Sequence, residues 1–159
     1  MTSTFKNILV PFDGSNHARK AYDLAKTLIG EDPDATITVL GVIPMQTQLD
    51  SSPGATIDGV PMAFVDADKY HAYVKQLHEK AEKKILEDLG DDLDDIDARF
   101  KVEVAAGTSP ARSICEFAKE KGCDVIIMGR RGLGAVRGAL GSVSFAVLRE
   151  TDIPVLTVK

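Results

Sequence analysis

Short apolar, β-branched runs alternate along the chain with longer stretches whose apolar residues recur at helical spacing. Ile8-Leu9-Val10-Pro11-Phe12 reads as a buried strand. Pro11 comes late in the run, where the strand is ending. Asp13-Gly14-Ser15 breaks the strand and offers capping side chains for a helix. Ala18, Ala21, Tyr22, Ala25, Leu28 and Ile29 follow at helical spacing, and Gly30 sits where that helix should stop. Thr36–Ile43 is a second strand. Residues 44–66 hold Pro44, Pro53, Pro61, Gly54 and Gly59 and show no clean period. A structureless stretch of that length is uncommon inside a domain, so the segment is expected to be a mobile excursion or a lid. A long helix is predicted from Ala67 to about Leu89, with Tyr70, Tyr73, Val74, Leu77, Ala81, Ile85 and Leu89 on its inner face. Phe100–Val104 is a short strand. Ser109 and Pro110 suit the N-cap and first position of a helix that buries Ala111, Ile114, Cys115 and Ala118. Asp124–Gly129 is the clearest buried strand. A glycine-rich loop, a helix over Ser142–Arg149 and a last strand, Pro154–Val158, complete the pattern.

Five strands alternating with four helices predict one α/β domain over residues 1–159, a parallel sheet with helices on both faces. Ligands of such sheets sit beyond the carboxyl ends of the strands, where the strand order reverses. Candidate chemistry is therefore expected just after Phe12, Ile43 and Met128.

Composition narrows the classes. A chain of 159 residues with 44% hydrophobic and 27% charged residues has the balance of a globular domain. Its formal net charge of −5 argues against broad binding to nucleic acid or to anionic membranes. No run of eighteen apolar residues is present, so no membrane span is expected. Cys115 and Cys123 form no C-x-x-C and read as reduced thiols, which points to the cytoplasm.

Against this acidic background, Gly129–Ser142 carries Gly129, Gly132, Gly134, Gly138 and Gly141 together with Arg130, Arg131 and Arg137, and no carboxylate. Glycines let backbone N–H groups turn toward an anion and let a ligand approach closely. The loop leaves a strand end and runs into a helix start, where free N–H groups favour phosphate. It is not a P-loop, because no Gly-Lys-Ser/Thr follows. Other candidates carry less. His71 and His78 stand seven apart on a helix, roughly 10.5 Å along its axis, too far for one metal. The acidic stretch from Glu87 to Asp97 lacks the central glycine and closing glutamate of a calcium loop.

The segments Ile8-Leu-Val-Pro-Phe-Asp-Gly-Ser15, Val125-Ile-Ile-Met-Gly-Arg-Arg-Gly132, Gly141-Ser-Val-Ser144 and Ile153-Pro-Val-Leu-Thr-Val158, in that order, resemble the universal stress protein family over essentially the whole chain. The resemblance implies a Rossmann-like fold of the adenine nucleotide alpha hydrolase type. It further implies a cytoplasmic, ATP-binding regulatory homodimer. ATP-binding members carry Gly-x-x-Gly, nine residues, then Gly-Ser/Thr. Here Gly129-x-x-Gly132 is followed by eight residues and Gly141-Ser142. By resemblance, Pro11, Asp13 and Val42 line the adenine and ribose end, and Met128, Gly129, Arg130 and Gly132 lie along the ribose and phosphates. Gly141, Ser142, Val143 and Ser144 hold the phosphates of ATP, with Mg as the accompanying ion. Asp13 has a second reading as a cap of the first helix. The alternatives are a protein-interaction dimer that binds no nucleotide, or a slow ATP hydrolase. No P-loop lysine and no motif-placed carboxylate pair supports a dedicated enzyme. Family members pair the last strand with its twin, so residues 155–158 are the expected dimer edge, and a proline at Leu156 is expected to weaken it.

Overall fold

A computed structural model describes residues 3–45, 56–57, 59–61, 64–90, 99–133 and 140–159. The first apolar run forms β1 (Asn7–Pro11), and α1 (Asn16–Ile29) follows it. Ser15 is the N-cap of α1: its Oγ accepts from the Ala18 N–H at 3.1 Å. Gly30 closes the helix, its N–H donating to the Lys26 carbonyl. β2 (Thr36–Pro44) leads into a small antiparallel hairpin, β3 (Thr56–Ile57) and β4 (Val60–Pro61), and then α2 (Ala67–Leu89). β5 (Phe100–Gly107), α3 (Pro110–Glu120), β6 (Val125–Gly129), α4 (Ser142–Glu150) and β7 (Val155–Val158) complete the chain.

The main sheet has the order β5-β2-β1-β6-β7, and every pair in it is parallel. From β1 the chain winds outward to β2 and β5, then returns to the other side of β1 for β6 and β7. The order therefore reverses between β1 and β6. Alternation within each strand splits the core in two. Ile8, Val10, Ile37, Val39 and Ile127 face α1 and the end of α2. Leu9, Leu40, Ile126 and Met128 face α3 and α4. Helices thus cover both faces, as the alternating pattern predicts. Among the described residues no helix is long and apolar enough to cross a membrane.

Three features differ from the sequence reading. β5 runs on to Gly107 rather than stopping at Val104, because β2 offers it a continuous ladder from Ile37↔Phe100 to Pro44↔Gly107. The stretch after β2 contains the β3–β4 hairpin, whose turn holds Gly59 at φ 79°; residues 46–55, on which the lid expectation also rests, lie outside the described residues. Finally, only Ile85 and Leu89 of the seven inner-face residues expected on α2 are buried, while Tyr70, Tyr73, Val74, Leu77 and Ala81 are half-buried. A helix of 23 residues is about 35 Å long and outruns strands of 5 to 9 residues. Its first turns pack instead against the hairpin, leaving a cavity of 210 Å³ between Ile57, Val60, Val65 and Tyr73.

Polar ties hold the edges of this arrangement. The Asp32 carboxylate, on a buried residue, accepts from the Ser3 N–H, from Lys6 Nζ at 2.5 Å and from the Asp34 N–H at 3.1 Å. The Lys6 hydrogen bond, with the others beside it, pulls its pKa down to about 2. Asp124 accepts from the Lys6 and Asn7 N–H groups at the start of β1. Arg19 donates to the carbonyls of Asp88 and Leu89 at 2.9 and 3.1 Å, so α1 supplies the cation that the last turn of α2 lacks. Burial raises the Cys123 thiol to about 11 and pushes the Cys115 thiol upward as well, so both stay protonated near neutral pH.

Candidate functional site

A cavity of 630 Å³ opens where the strand order reverses. The end of β1 contributes Pro11, Phe12 and Asp13, and the end of β2 contributes Leu40, Val42 and Pro44. The start of α3 adds Pro110 and Ile114. β6 and the residues after it bring Met128, Gly129, Arg131, Gly132 and Leu133, and the approach to α4 brings Leu140 and Gly141 through Ser144. The wall is apolar on the side of β2 and α3, and polar where β6 meets α4. That division suits a ligand with a flat apolar part and a polar tail.

The polar end is built by the backbone. Gly141 is the N-cap of α4 and has no side chain with which to cap it. The Gly141 carbonyl accepts from the Phe145 N–H at 2.9 Å, the first bond of the helix. The N–H groups of Ser142, Val143 and Ser144 are therefore left without an intrahelical acceptor, at the positive end of the helix dipole. The Ser144 hydroxyl, on a buried residue, donates to the Gly129 carbonyl at 2.9 Å and fixes the helix start to the end of β6. The Gly141 N–H donates to the Arg130 carbonyl at 2.9 Å and makes a second tie between the same two elements.

Asp13 lies exposed at the rim. Its Oδ1 accepts from the Ser15 N–H at 3.0 Å, which closes a short Asx turn and orients the carboxylate. Ser15, not Asp13, caps α1, so the capping reading of Asp13 is corrected to a turn role. Asp13 Oδ2 is 2.5 Å from where a Cβ on residue 132 would stand, so Gly132 leaves the room that this carboxylate occupies.

Of the residues expected at the site, all but Arg130 line the cavity. Arg130 continues the edge of β6: its N–H donates to the Val158 carbonyl at 2.7 Å. Its Nε is buried and has no hydrogen-bond partner among the described residues. The next residue, Arg131, lines the cavity in its place. Gly129 also departs from expectation. A Cβ there would meet His17 Cβ at 2.7 Å, the His17 carbonyl carbon at 2.8 Å and the Ala18 nitrogen at 3.0 Å. The close approach at Gly129 is made by α1 itself. The sequence reading missed the apolar wall. Phe12 and Leu40 read as core, while Pro44 and Pro110 meet at the rim because β5 extends far enough to carry the start of α3 there. The signal for Pro44 was available, since it directly follows the second strand end named as a place for chemistry.

A sequence model described as the Universal stress protein family matches residues 4–159. The chain is 32% identical over 156 residues to Universal stress protein YxiE of Bacillus subtilis, covering 98% of this chain and 99% of that one. Among solved structures it is similar to MJ0577, with a TM-score of 0.70, 27% identity, and coverage of 97% of this chain and 95% of that chain. The fold is also that of a universal stress protein solved in complex with cAMP, at a TM-score of 0.57 and 20% identity, with 99% of this chain and 98% of that chain covered.

Proposed function

This chain belongs to the universal stress protein family, and from that premise we propose that it is a regulatory module that binds ATP or a related adenine nucleotide and acts as a homodimer. The observation that carries the reading is the cavity at the sheet's switch point, with an apolar slot at one end and an uncapped helix start at the other. The slot formed by Val42, Pro44, Pro110 and Ile114 takes the base. The oriented Asp13 carboxylate accepts hydrogen bonds from sugar hydroxyls. The N–H groups of Ser142, Val143 and Ser144 meet the phosphates. Several charge-assisted hydrogen bonds of roughly 1.5–3 kcal/mol each are enough for micromolar affinity, about −8.2 kcal/mol. Among its described lining residues the site has no lysine of a P-loop type, which supports binding over rapid turnover, with slow hydrolysis at most.

The dimer part of the proposal rests on the two sheet edges. β5, at one edge, exposes Lys101 and Glu103, charges that discourage pairing. β7, at the other, carries no charge from Val155 to Val158 and leaves Leu156 39% exposed. α4, which leads into β7, exposes Phe145 and Leu148. Two copies of β7 pairing about a two-fold axis would cover this edge. The nucleotide reading is tested by denaturing freshly purified protein and identifying what is released, then adding ATP with magnesium to the emptied protein. Adenine nucleotide in the released fraction, or micromolar rebinding, is expected. Neither release nor rebinding would leave a dimer that works without nucleotide.

A further inference from the structure

We infer that Arg131, and not its neighbour Arg130, is the side chain by which this site distinguishes a nucleotide from its nucleoside; the inference rests on the nucleotide reading above. Asp13 and Arg131 are the only charged residues among the described lining of the cavity. A carboxylate in the cavity repels phosphate, and a cation near the helix start offsets that repulsion. The two arginines are adjacent in sequence but are held differently. Arg130 is pinned through both backbone groups, its N–H on the Val158 carbonyl and its carbonyl under the Gly141 N–H. Its side chain has a buried Nε and does not reach the cavity wall.

Arg131 starts from the polar end. Its Cα would be 3.3 Å from a Cβ placed on Gly141, the N-cap of α4. The Arg131 backbone therefore runs beside the start of α4, and Arg131 lines the same cavity. A guanidinium there offers forked donors whose geometry matches phosphate oxygens. Adenosine, which lacks those oxygens, gains nothing from it. The backbone of Arg130, not its side chain, ties β7 and α4 to the end of β6.

The test is titration calorimetry of ATP and of adenosine against the wild type, Arg131→Ala, Arg131→Lys and Arg130→Ala. For Arg131→Ala the affinity for ATP is expected to fall about ten-fold or more while that for adenosine stays within about two-fold. Arg131→Lys should recover part of the ATP preference, because it keeps the charge and loses the fork. Arg130→Ala keeps both backbone ties and is expected to leave the ratio of the two affinities unchanged. An unchanged ratio in Arg131→Ala, or a ratio lost in Arg130→Ala, would overturn the assignment while the nucleotide reading stands. Wild-type protein that binds neither ligand would overturn the nucleotide reading and this inference with it.

Discussion

Gly129 and Gly132 stand three residues apart at the cavity, yet they lack a side chain for different reasons. At Gly129 the missing Cβ makes room for the backbone of α1, which cannot give way cheaply. Gly129→Val should therefore cost stability, about 1–3 kcal/mol or more by overpacking, and show as a lowered melting temperature even without ligand. At Gly132 the missing Cβ makes room for the Asp13 carboxylate, the far end of a flexible side chain. Gly132→Ala should cost under about 1 kcal/mol by denaturant titration while weakening nucleotide and nucleoside alike, because it turns Asp13 away. Asp32 gives a residue-scale test by pH. Its folded pKa of about 2 lies below the ~3.9 of an unfolded chain, so its stabilising effect is complete above that value and is lost as pH falls toward 2. Denaturant titrations of wild type and Asp32→Asn should differ at pH 6 and converge between about pH 4 and pH 2. A constant difference across that window would contradict the role given to the carboxylate.

The elements themselves were largely legible, because each carries both a periodicity and a stop signal. α1 is bracketed by Ser15 and Gly30, and α3 opens on Ser109 and Pro110. What the period could not show is how far an element extends when a neighbour supports it. Ala105 and Ala106 have little strand preference, but the β2 ladder carries them. The apolar stripe of α2 is regular over its whole length, yet stripe and burial part company once the helix passes beyond the sheet. Its last turn is held from outside by Arg19, a long-range contact that no local pattern announces. Arg19→Ala should cost about 1–2 kcal/mol and speed amide exchange in the last turn of α2 more than elsewhere. Equal exchange in both proteins would show that packing of Ile85 and Leu89 alone holds that end.

At the scale of the molecule, the sheet order sets where the candidate site and the proposed interface lie. The lining of the candidate cavity was legible in outline because the switch point follows from alternating strands and helices. The choice between Arg130 and Arg131 was not, since it depends on which of two adjacent side chains the β7 and α4 ties turn inward. The same ties revise the probe of the dimer edge. Pro154 and Val158 direct their carbonyls to β6, and with a period of two Leu156 does so as well. A proline at Leu156 would thus break the sheet itself. Thr157 directs its N–H outward, so Thr157→Pro should shift a dimer toward monomer in light scattering while preserving the melting behaviour of each chain. The central claim, that the cavity between β1, β6 and the start of α4 holds an adenine nucleotide, is tested most directly by hydrogen exchange with and without ATP and magnesium. Saturable protection of peptides covering 11–15, 128–133 and 140–145 is the expected result; exchange unchanged at those peptides at millimolar ATP, or protection confined to the hairpin and the first turns of α2, would contradict it.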